Sequence, residues 1–541
     1  MARVGPDVRY ILLKEQEAEM NVSVAGFDGP LARATRAELE RRGHTVTGDG
    51  AACAVYFPGD LAGLEALAAN PLVKRLVLRS HGYAYGANPK NPGMMTEDRI
   101  PLLPPEDPAQ SWLRAEELAS RHGNSAAVRL ANVADPAEGD LLVTKLAQGA
   151  ATKIAGRNPN VQFISVQDAA RVLADAAESH ATGIFNAAGP GTIPLAQAFR
   201  AAGVRQIAVP ERASLAALRY NWTLSSDRAA RELGWVPEKS TLDALREFLA
   251  KKPGSHPERL RKEYDDWGLD TDYIQAWGWW FAFLRNIYWR IDHEGMENIP
   301  ETGRGLYISN HRGFMPLDAV MHLSLIFTHR KRVPRFLIIH SLLRTPFMCN
   351  FLTKLGGVVA SQENAARLFE QESLIGLFPE GIRGTFTPYK RTYKLRDFTR
   401  SEFAQIAVRH QAPVIPAVVV GHAEIFPIIG RIDSSWVVKE LGWPYLPIAP
   451  MFPLAPVPLP SKWHVRVLKP VPLEGLKPAD AENERLMKEF SRYVQNIVQK
   501  NLDDMVSRRK SFVMGHFLDG TSPEILPFRS SRGAMAAEPR Q

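Results

Sequence analysis

Cysteine is nearly absent: the 541 residues hold two, Cys53 and Cys349. Two thiols so widely separated exclude a disulfide framework and a cysteine zinc site, and they fit a reducing compartment. No stretch approaches the roughly 20 consecutive apolar residues of a membrane-spanning helix. The opening residues, Met1 to Asp7, lack the apolar core of a secretory signal. The expected setting is the cytoplasm, with any work on lipid done from the membrane surface. Internal repeats are also missing, and no metal is expected.

What remains is a long chain of ordinary composition. At 541 residues it exceeds one common core, so two domains are expected. An apolar share of 45% with 23% charged residues places it among folded globular proteins. The net charge of +8 suits an anionic partner such as lipid headgroups or the phosphates of coenzyme A; nucleic acid is not expected. The cations gather at 330–335, 390–400 and 508–510, where solvated faces are an equally good reading. A stretch rich in Pro, Gly and charge, Lys251 to Pro257, reads as a junction. The expected organisation is a first domain over 1–250, a linker over 251–268, a second domain over 269–510 and a flexible tail over 511–541. Oligomeric state is not legible.

In the first half, strand-like runs (Val22 to Ala25, Thr45 to Thr47, Cys53 to Phe57, Leu76 to Leu78) alternate with a helical pattern over Arg33 to Arg42. Such alternation predicts a doubly wound parallel sheet. Between the first strand and first helix lies Gly26-Phe27-Asp28-Gly29-Pro30-Leu31-Ala32. Glycines at such a turn let backbone approach a pyrophosphate at a helix N-terminus, although a plain tight turn has the same form. Gly26 and Gly29, with Asp49 near a ribose-binding position, are the candidate NAD(P) contacts. Further landmarks are Ser80-His81-Gly82-Tyr83, Phe163-Ile164-Ser165-Val166-Gln167-Asp168, Phe185-Asn186-Ala187-Ala188-Gly189-Pro190 and Arg231-Glu232-Leu233-Gly234-Trp235. In this order they resemble the extended short-chain dehydrogenase/reductases, the NAD-dependent epimerase and dehydratase type, over roughly residues 20–250. That resemblance implies a Rossmann-like fold. Family catalysis needs a Tyr-x-x-x-Lys pair, in which lysine lowers the tyrosine pKa. Here Pro108 and Trp112 fall at those positions and His81 at the helper hydroxyl position. A degenerate domain follows, either structural or retaining NAD(P) without catalysis.

The second half carries the chemistry. Asn310-His311-Arg312-Gly313-Phe314-Met315-Pro316-Leu317-Asp318 follows the apolar run Gly305 to Ser309. A histidine at the carboxyl end of a strand can serve as general base, and a carboxylate on its other nitrogen fixes the tautomer. About sixty residues on comes Phe378-Pro379-Glu380-Gly381-Ile382-Arg383, again an apolar strand entering a turn. Glycine there admits a ligand to the backbone, and arginine can pair with phosphate or carbonyl oxygen. Further strands are expected at Arg335 to Ile339, Gly357 to Ala360, Leu374 to Phe378, Val414 to Val420 and Trp463 to Leu468.

With Lys354 to Ser361 and Ala412 to Gly421, these blocks resemble the glycerolipid acyltransferases over roughly 275–500. The closest likeness is to the branch containing monoacylglycerol and diacylglycerol acyltransferase-like proteins. The resemblance implies an α/β acyltransferase domain moving a fatty acyl group from acyl-CoA or acyl-carrier protein to a lipid hydroxyl, with no cofactor required. His311 and Asp318 become the catalytic candidates, and Asn310, Arg312, Phe378, Pro379, Glu380, Gly381 and Arg383 the substrate-binding ones. Two departures stand out. Six residues separate His311 from Asp318 where the family usually has four, and a seven-residue offset on a straight helix spans about 10 Å. Gly313 and Pro316 break such a helix, so a loop can still join the pair. Where glycerol-phosphate acylating members carry an arginine, this chain has Gln362, which tilts the acceptor towards a neutral glyceride, with Arg367 as a substitute.

Residues 277–289, Trp-Gly-Trp-Trp-Phe-Ala-Phe-Leu-Arg-Asn-Ile-Tyr-Trp, are too short to span a membrane and rich in residues that favour the headgroup boundary. They read equally as an interfacial helix or as one docked on the domain. The expected activity is a peripheral-membrane acyltransferase. The alternatives are a nucleotide-sugar epimerase or dehydratase centred on the first half, and a non-catalytic lipid- or nucleotide-binding scaffold.

Overall fold

The computed structural model describes residues 19–509 apart from 49, 211–215, 261, 263, 346, 399–400, 453 and 455–456, together with 511 and 528. Asp49 and nearly all of the expected tail therefore lie outside the described residues. By contacts the chain divides into two units, Met1–Gly268 and Leu269–Gln541.

The N-terminal unit is built on β1 (Asn21–Gly26), α1 (Pro30–Arg41), β2 (Thr45–Thr47), β3 (Cys53–Phe57), β4 (Arg75–His81), α2 (Gln110–Ser120), β5 (Ser125–Leu130), α3 (Val166–Glu178) and β6 (Gly183–Ala187). The six strands are all parallel in the order β6-β5-β4-β3-β1-β2, so winding reverses between β1 and β3. The pleat explains why these strands read as continuous apolar runs. Cys53, Val55 and Phe57 pack on one face with Leu31 of α1 and Val172 of α3, while Ala54 and Tyr56 pack on the other with Ala115 and Ala119 of α2. This is a Rossmann-like doubly wound sheet covered on both faces.

The C-terminal unit contains α4 (Thr271–Phe283), β7 (Asp292–Glu294), β8 (Gly305–Ser309), α5 (Leu317–Arg330), β9 (Arg335–Ile338), β10 (Val358–Val359), β11 (Leu374–Leu377), α6 (Glu402–Arg409), β12 (Val414–Val420), β13 (Gly430–Ile432), β14 (Leu446–Ile448), β15 (His464–Val467) and α7 (Glu484–Arg508). Its sheet runs β7-β15-β12-β8-β11-β9-β10, with the five strands from β12 to β10 parallel and β15 antiparallel to β12. Ile415, Ala417 and Val419 face the main core, whereas Val418 and Val420 face Val498 and Leu502 of α7.

The expected strands are present with ends shifted by up to three residues, and the segment at Gly357 to Ala360 shrinks to Val358–Val359. One strand escapes the apolar pattern. β7 is Asp-His-Glu, held on β15 by ion pairs rather than by apolar packing: Lys462 Nζ lies 2.6 Å from Asp292, and Arg466 pairs with Glu294. Among the described residues no helix is long and apolar enough to cross a membrane.

Candidate active site

β8 is wholly buried and ends at Ser309, delivering the chain into a loop at the carboxyl edge of the sheet. Asn310 anchors that loop: its Nδ2 donates to the Val419 carbonyl at 2.9 Å and its Oδ1 accepts from the Val419 N–H at 2.8 Å. Gly313 turns in the left-handed region (φ +75°), and Pro316 immediately precedes α5. Asp318 is therefore the second residue of that helix, where a carboxylate is favoured by the helix dipole. The loop returns His311 over it, placing Nδ1 2.6 Å from Asp318 Oδ2. The spacing that forbids contact along a straight helix is absorbed by the loop.

Asp318 is fully buried, and its Oδ1 accepts from the Ala319 N–H at 2.8 Å. Burial by itself raises its pKa, but the charge and hydrogen bond of His311 hold it below the ordinary carboxylate value. Burial drives His322 down to about 4 and His422 down to about 3, so both are neutral at pH 7. His322 Nδ1 meets the Tyr307 hydroxyl at 2.7 Å, and His422 Nε2 lies 3.5 Å from Asn310 Nδ2. Tyr307, His322 and His422 lie outside both motif blocks. For His322 the signal was its position four residues after Asp318, on the same helix face.

The His311 ring stacks on Phe378 (centroids 4.0 Å apart, planes 11° apart), and Phe378 stacks on Phe336 at 5.6 Å. With Nδ1 committed to Asp318, Nε2 is the nitrogen left for chemistry. His311 lines a cavity of about 510 Å³ at the carboxyl ends of β8 to β11. Its walls are largely apolar, including Phe314, Phe336, Leu342, Phe386 and Trp443, with Gln362, Arg383, Asp397 and Glu402 as polar members. That size falls within the roughly 300–1,000 Å³ of small-molecule sites.

The second motif enters from β11. Glu380 Oε1 accepts from Arg312 Nη1 at 2.6 Å and from the His311 N–H at 3.3 Å, while Oε2 accepts from the Arg396 N–H at 2.6 Å. Arg312 also donates to the carbonyls of Thr392 (2.6 Å), Lys394 (2.9 Å) and His311 (2.6 Å). Asn310, Arg312 and Glu380, expected as substrate contacts, thus have their polar atoms engaged within the protein. They tie the His311 loop to its surroundings, and Glu380 also borders the cavity. Phe378, Pro379, Gly381 and Arg383 line the cavity beside Glu380. Gly381 has φ +53° with open space at its Cβ position. Arg383 is exposed, and no described side chain engages its guanidinium. Gln362 borders the cavity and accepts from Arg409 at 2.5 Å; Arg367 is not among the described residues lining it.

In the N-terminal unit the glycine turn is filled from within. Gly26 has φ +94°, and a Cβ there would lie 1.9 Å from the Phe57 carbonyl oxygen. That glycine is required by the close approach of β1 to β3. At the start of α1 the Leu31 N–H donates to Glu138 Oε1 at 2.8 Å, and a Cβ on Gly29 would meet the same oxygen at 2.5 Å. A side-chain carboxylate thus occupies the helix N-terminus where a phosphate is usually received. Burial pushes the Glu138 carboxyl up. Trp112 stacks on His81 (5.9 Å) with Arg79 above it (4.8 Å), and His81 and Arg79 approach Asp140 at 3.5 and 2.8 Å. Among the described residues no group of three or more His, Cys, Asp or Glu could hold a metal ion.

Residues 290–420 match the family model described as Acyltransferase. An uncharacterized protein of Mycobacterium leprae is 30% identical over 296 residues, covering 53% of this chain and 80% of that protein. A Bos taurus protein named DGAT1/2-independent enzyme synthesizing storage lipids is 27% identical over 161 residues, covering 30% of this chain and 48% of that enzyme. Among solved structures, UDP-glucose 4-epimerase of Thermotoga maritima is 18% identical, covering 43% of this chain and 98% of that chain with a TM-score of 0.35. A C-terminal unit of this fold, matched by this model, defines an α/β acyltransferase. The C-terminal unit carries an acyltransferase-family domain over residues 290–420.

Proposed function

We propose that the chain transfers a fatty acyl group from a thioester, acyl-CoA or acyl-carrier protein, to a lipid hydroxyl at His311. The carrying observation is the 2.6 Å contact between His311 Nδ1 and buried Asp318, beside a largely apolar cavity. His311 Nε2 takes the proton of the acceptor hydroxyl as its oxygen attacks the thioester carbonyl. The tetrahedral intermediate collapses, the carbon–sulfur bond breaks, and the leaving thiolate receives that proton. Asp318 holds the tautomer and stabilises the imidazolium formed in between. Phe378 fixes the ring plane, and the Arg312–Glu380 pair holds the two motif loops together. Arg383 supplies positive charge for a phosphate of the donor or acceptor.

The name of the Bos taurus relative and the apolar walls both favour a glyceride acceptor, and Gln362 favours a neutral one. The N-terminal unit serves as a closed scaffold, with Glu138 in place of a dinucleotide phosphate and Pro108 and Trp112 in place of a proton-transfer pair. A lipid surface is met in part by α4 and the turn after it, where Trp279, Trp280 and Ile287 are exposed while Ile274, Phe281 and Leu284 are buried in the core. The test is lipid mass spectrometry after incubating wild type and His311→Ala with acyl-CoA and a panel of acceptor alcohols. Product from wild type alone is expected, and equal product from both would overturn the assignment.

A further inference from the structure

The described residues of the segment 429–457, all but 453, 455 and 456, present two apolar faces. The segment is a hairpin, β13 antiparallel to β14 with Ile432 opposite Leu446, enclosing one helical turn at Val437–Leu441. Its inner face is packed. Phe314 meets Phe452 at 4.5 Å and Trp443 at 6.0 Å, Phe386 meets Trp443 at 5.6 Å, and Val437, Tyr445 and Ala449 are buried. Phe314, Phe386 and Trp443 are themselves cavity walls. Gly442 abuts cavity-lining Ser341, where an added Cβ would lie 2.7 Å from the serine Cβ.

The outer face is bare. Leu454 is 96% exposed, Ile429 69%, Trp436 62%, and Val438 and Met451 52% each. Single exposed apolar residues are common, but a group of this density on one short segment marks a contact surface. Two observations bear on what covers it. Ile339, two residues before the Ser341 that Gly442 abuts, both lines that cavity and is 38% exposed. The surface continues towards the exposed residues of α4 and its following turn: Tyr288 donates to the Pro458 carbonyl at 2.6 Å and Trp289 to the Leu459 carbonyl at 3.2 Å, beside Ile287 at 66% exposure. The charges of the segment, Arg431 and Lys439 against Asp433 and Glu440, cancel. Attraction to an anionic surface is left to the +8 of the whole chain.

We infer that residues 429–457 form a lipid-docking cap. The outer face enters the headgroup boundary of a membrane, where tryptophan is favoured, and the inner face is the cavity wall past which the acyl chain or the lipid acceptor enters. The inference rests on the acyltransferase reading of the cavity, but docking is measurable without turnover.

The test is co-sedimentation of the full chain with phosphatidylcholine vesicles containing phosphatidylglycerol, for wild type, Trp436→Ser/Leu454→Ser, the conservative Trp436→Phe and an exposed control in the N-terminal unit, Val236→Ser. The double variant is expected to bind about tenfold more weakly or worse, from two lost apolar insertions. Trp436→Phe and Val236→Ser are expected to match wild type. The double variant should keep its turnover on a soluble short-chain thioester and alcohol while losing it on vesicle-borne acceptor. Unchanged vesicle binding by the double variant would overturn the inference. So would wild type that ignores vesicles but self-associates through this face in sedimentation velocity. Vesicle binding lost in the double variant, with no acyl transfer by any form, would instead retain the cap and overturn the acyltransferase reading.

Discussion

Asp318 lies seven residues after His311, yet its Oδ2 sits 2.6 Å from the histidine's Nδ1 and the carboxylate is fully buried. The pair is made by a loop closing over the first turn of α5, so its geometry depends on Gly313 and Pro316 as much as on the two partners.

Asp318→Asn is expected to lower kcat by roughly 10²- to 10⁴-fold, because the amide no longer favours the productive tautomer or the imidazolium. KM should change little, since Asp318 is sealed from the cavity. Steady-state kinetics with the acceptor found active in the panel would check this, and unchanged kcat would remove Asp318 from the relay.

Acid should weaken the C-terminal unit well before ordinary carboxylates titrate. His322 and His422 bind protons more weakly folded, at about 4 and about 3, than at their ordinary value of 6.5. Below pH 6.5 the unfolded chain therefore takes up more protons, and stability falls with pH. The contribution is complete above 6.5 and is lost as pH falls through about 4 for His322 and about 3 for His422. From pH 6.5 to pH 5 each histidine removes about 2 kcal/mol. Asp318, also held low, acts in the same direction below 3.8. Thermal melts between pH 7 and pH 5 should show the decline, and His422→Gln should flatten it.

Glu380→Ala and Arg383→Ala should separate the two ends of one motif. The first leaves the buried Arg312 guanidinium without its carboxylate, at a cost of about 3–5 kcal/mol in urea unfolding. The second touches an exposed side chain with no described partner, so stability should stay within about 0.5 kcal/mol. Its kcat/KM should nevertheless fall about tenfold, the equivalent of about 1.4 kcal/mol, where the substrate carries a phosphate.

Glu138→Ala should open the start of α1. Wild type is expected to give no heat with millimolar NAD(H) or NADP(H) in isothermal calorimetry, and the variant a weak but measurable response to a dinucleotide. Tight binding by wild type would show that Glu138 moves aside and would end the closed-scaffold reading.

Much of this was legible in the chain. Continuous apolar runs located the buried parallel strands because both faces of each sheet are covered, and the motif blocks placed His311 and the 378–383 turn at strand ends. β7 was illegible because its Asp292 and Glu294 are held by Lys462 and Arg466, which lie some 170 positions away. The two apolar faces of residues 429–457 were equally hidden, because prolines and glycines there follow neither helical nor strand periodicity.

The sequence by itself determined the two α/β patterns, the acyltransferase blocks and the loss of the Tyr-x-x-x-Lys pair, all of which are local in the chain. What the tertiary structure added is that Asp318 reaches His311, that Asn310, Arg312 and Glu380 bond to groups of the protein around the His311 loop, and that Glu138 fills the glycine turn. Each of those outcomes depends on which polar atom finds a partner first in a buried space. That competition is settled between residues distant in sequence or across a loop closure, where spacing along the chain carries no information.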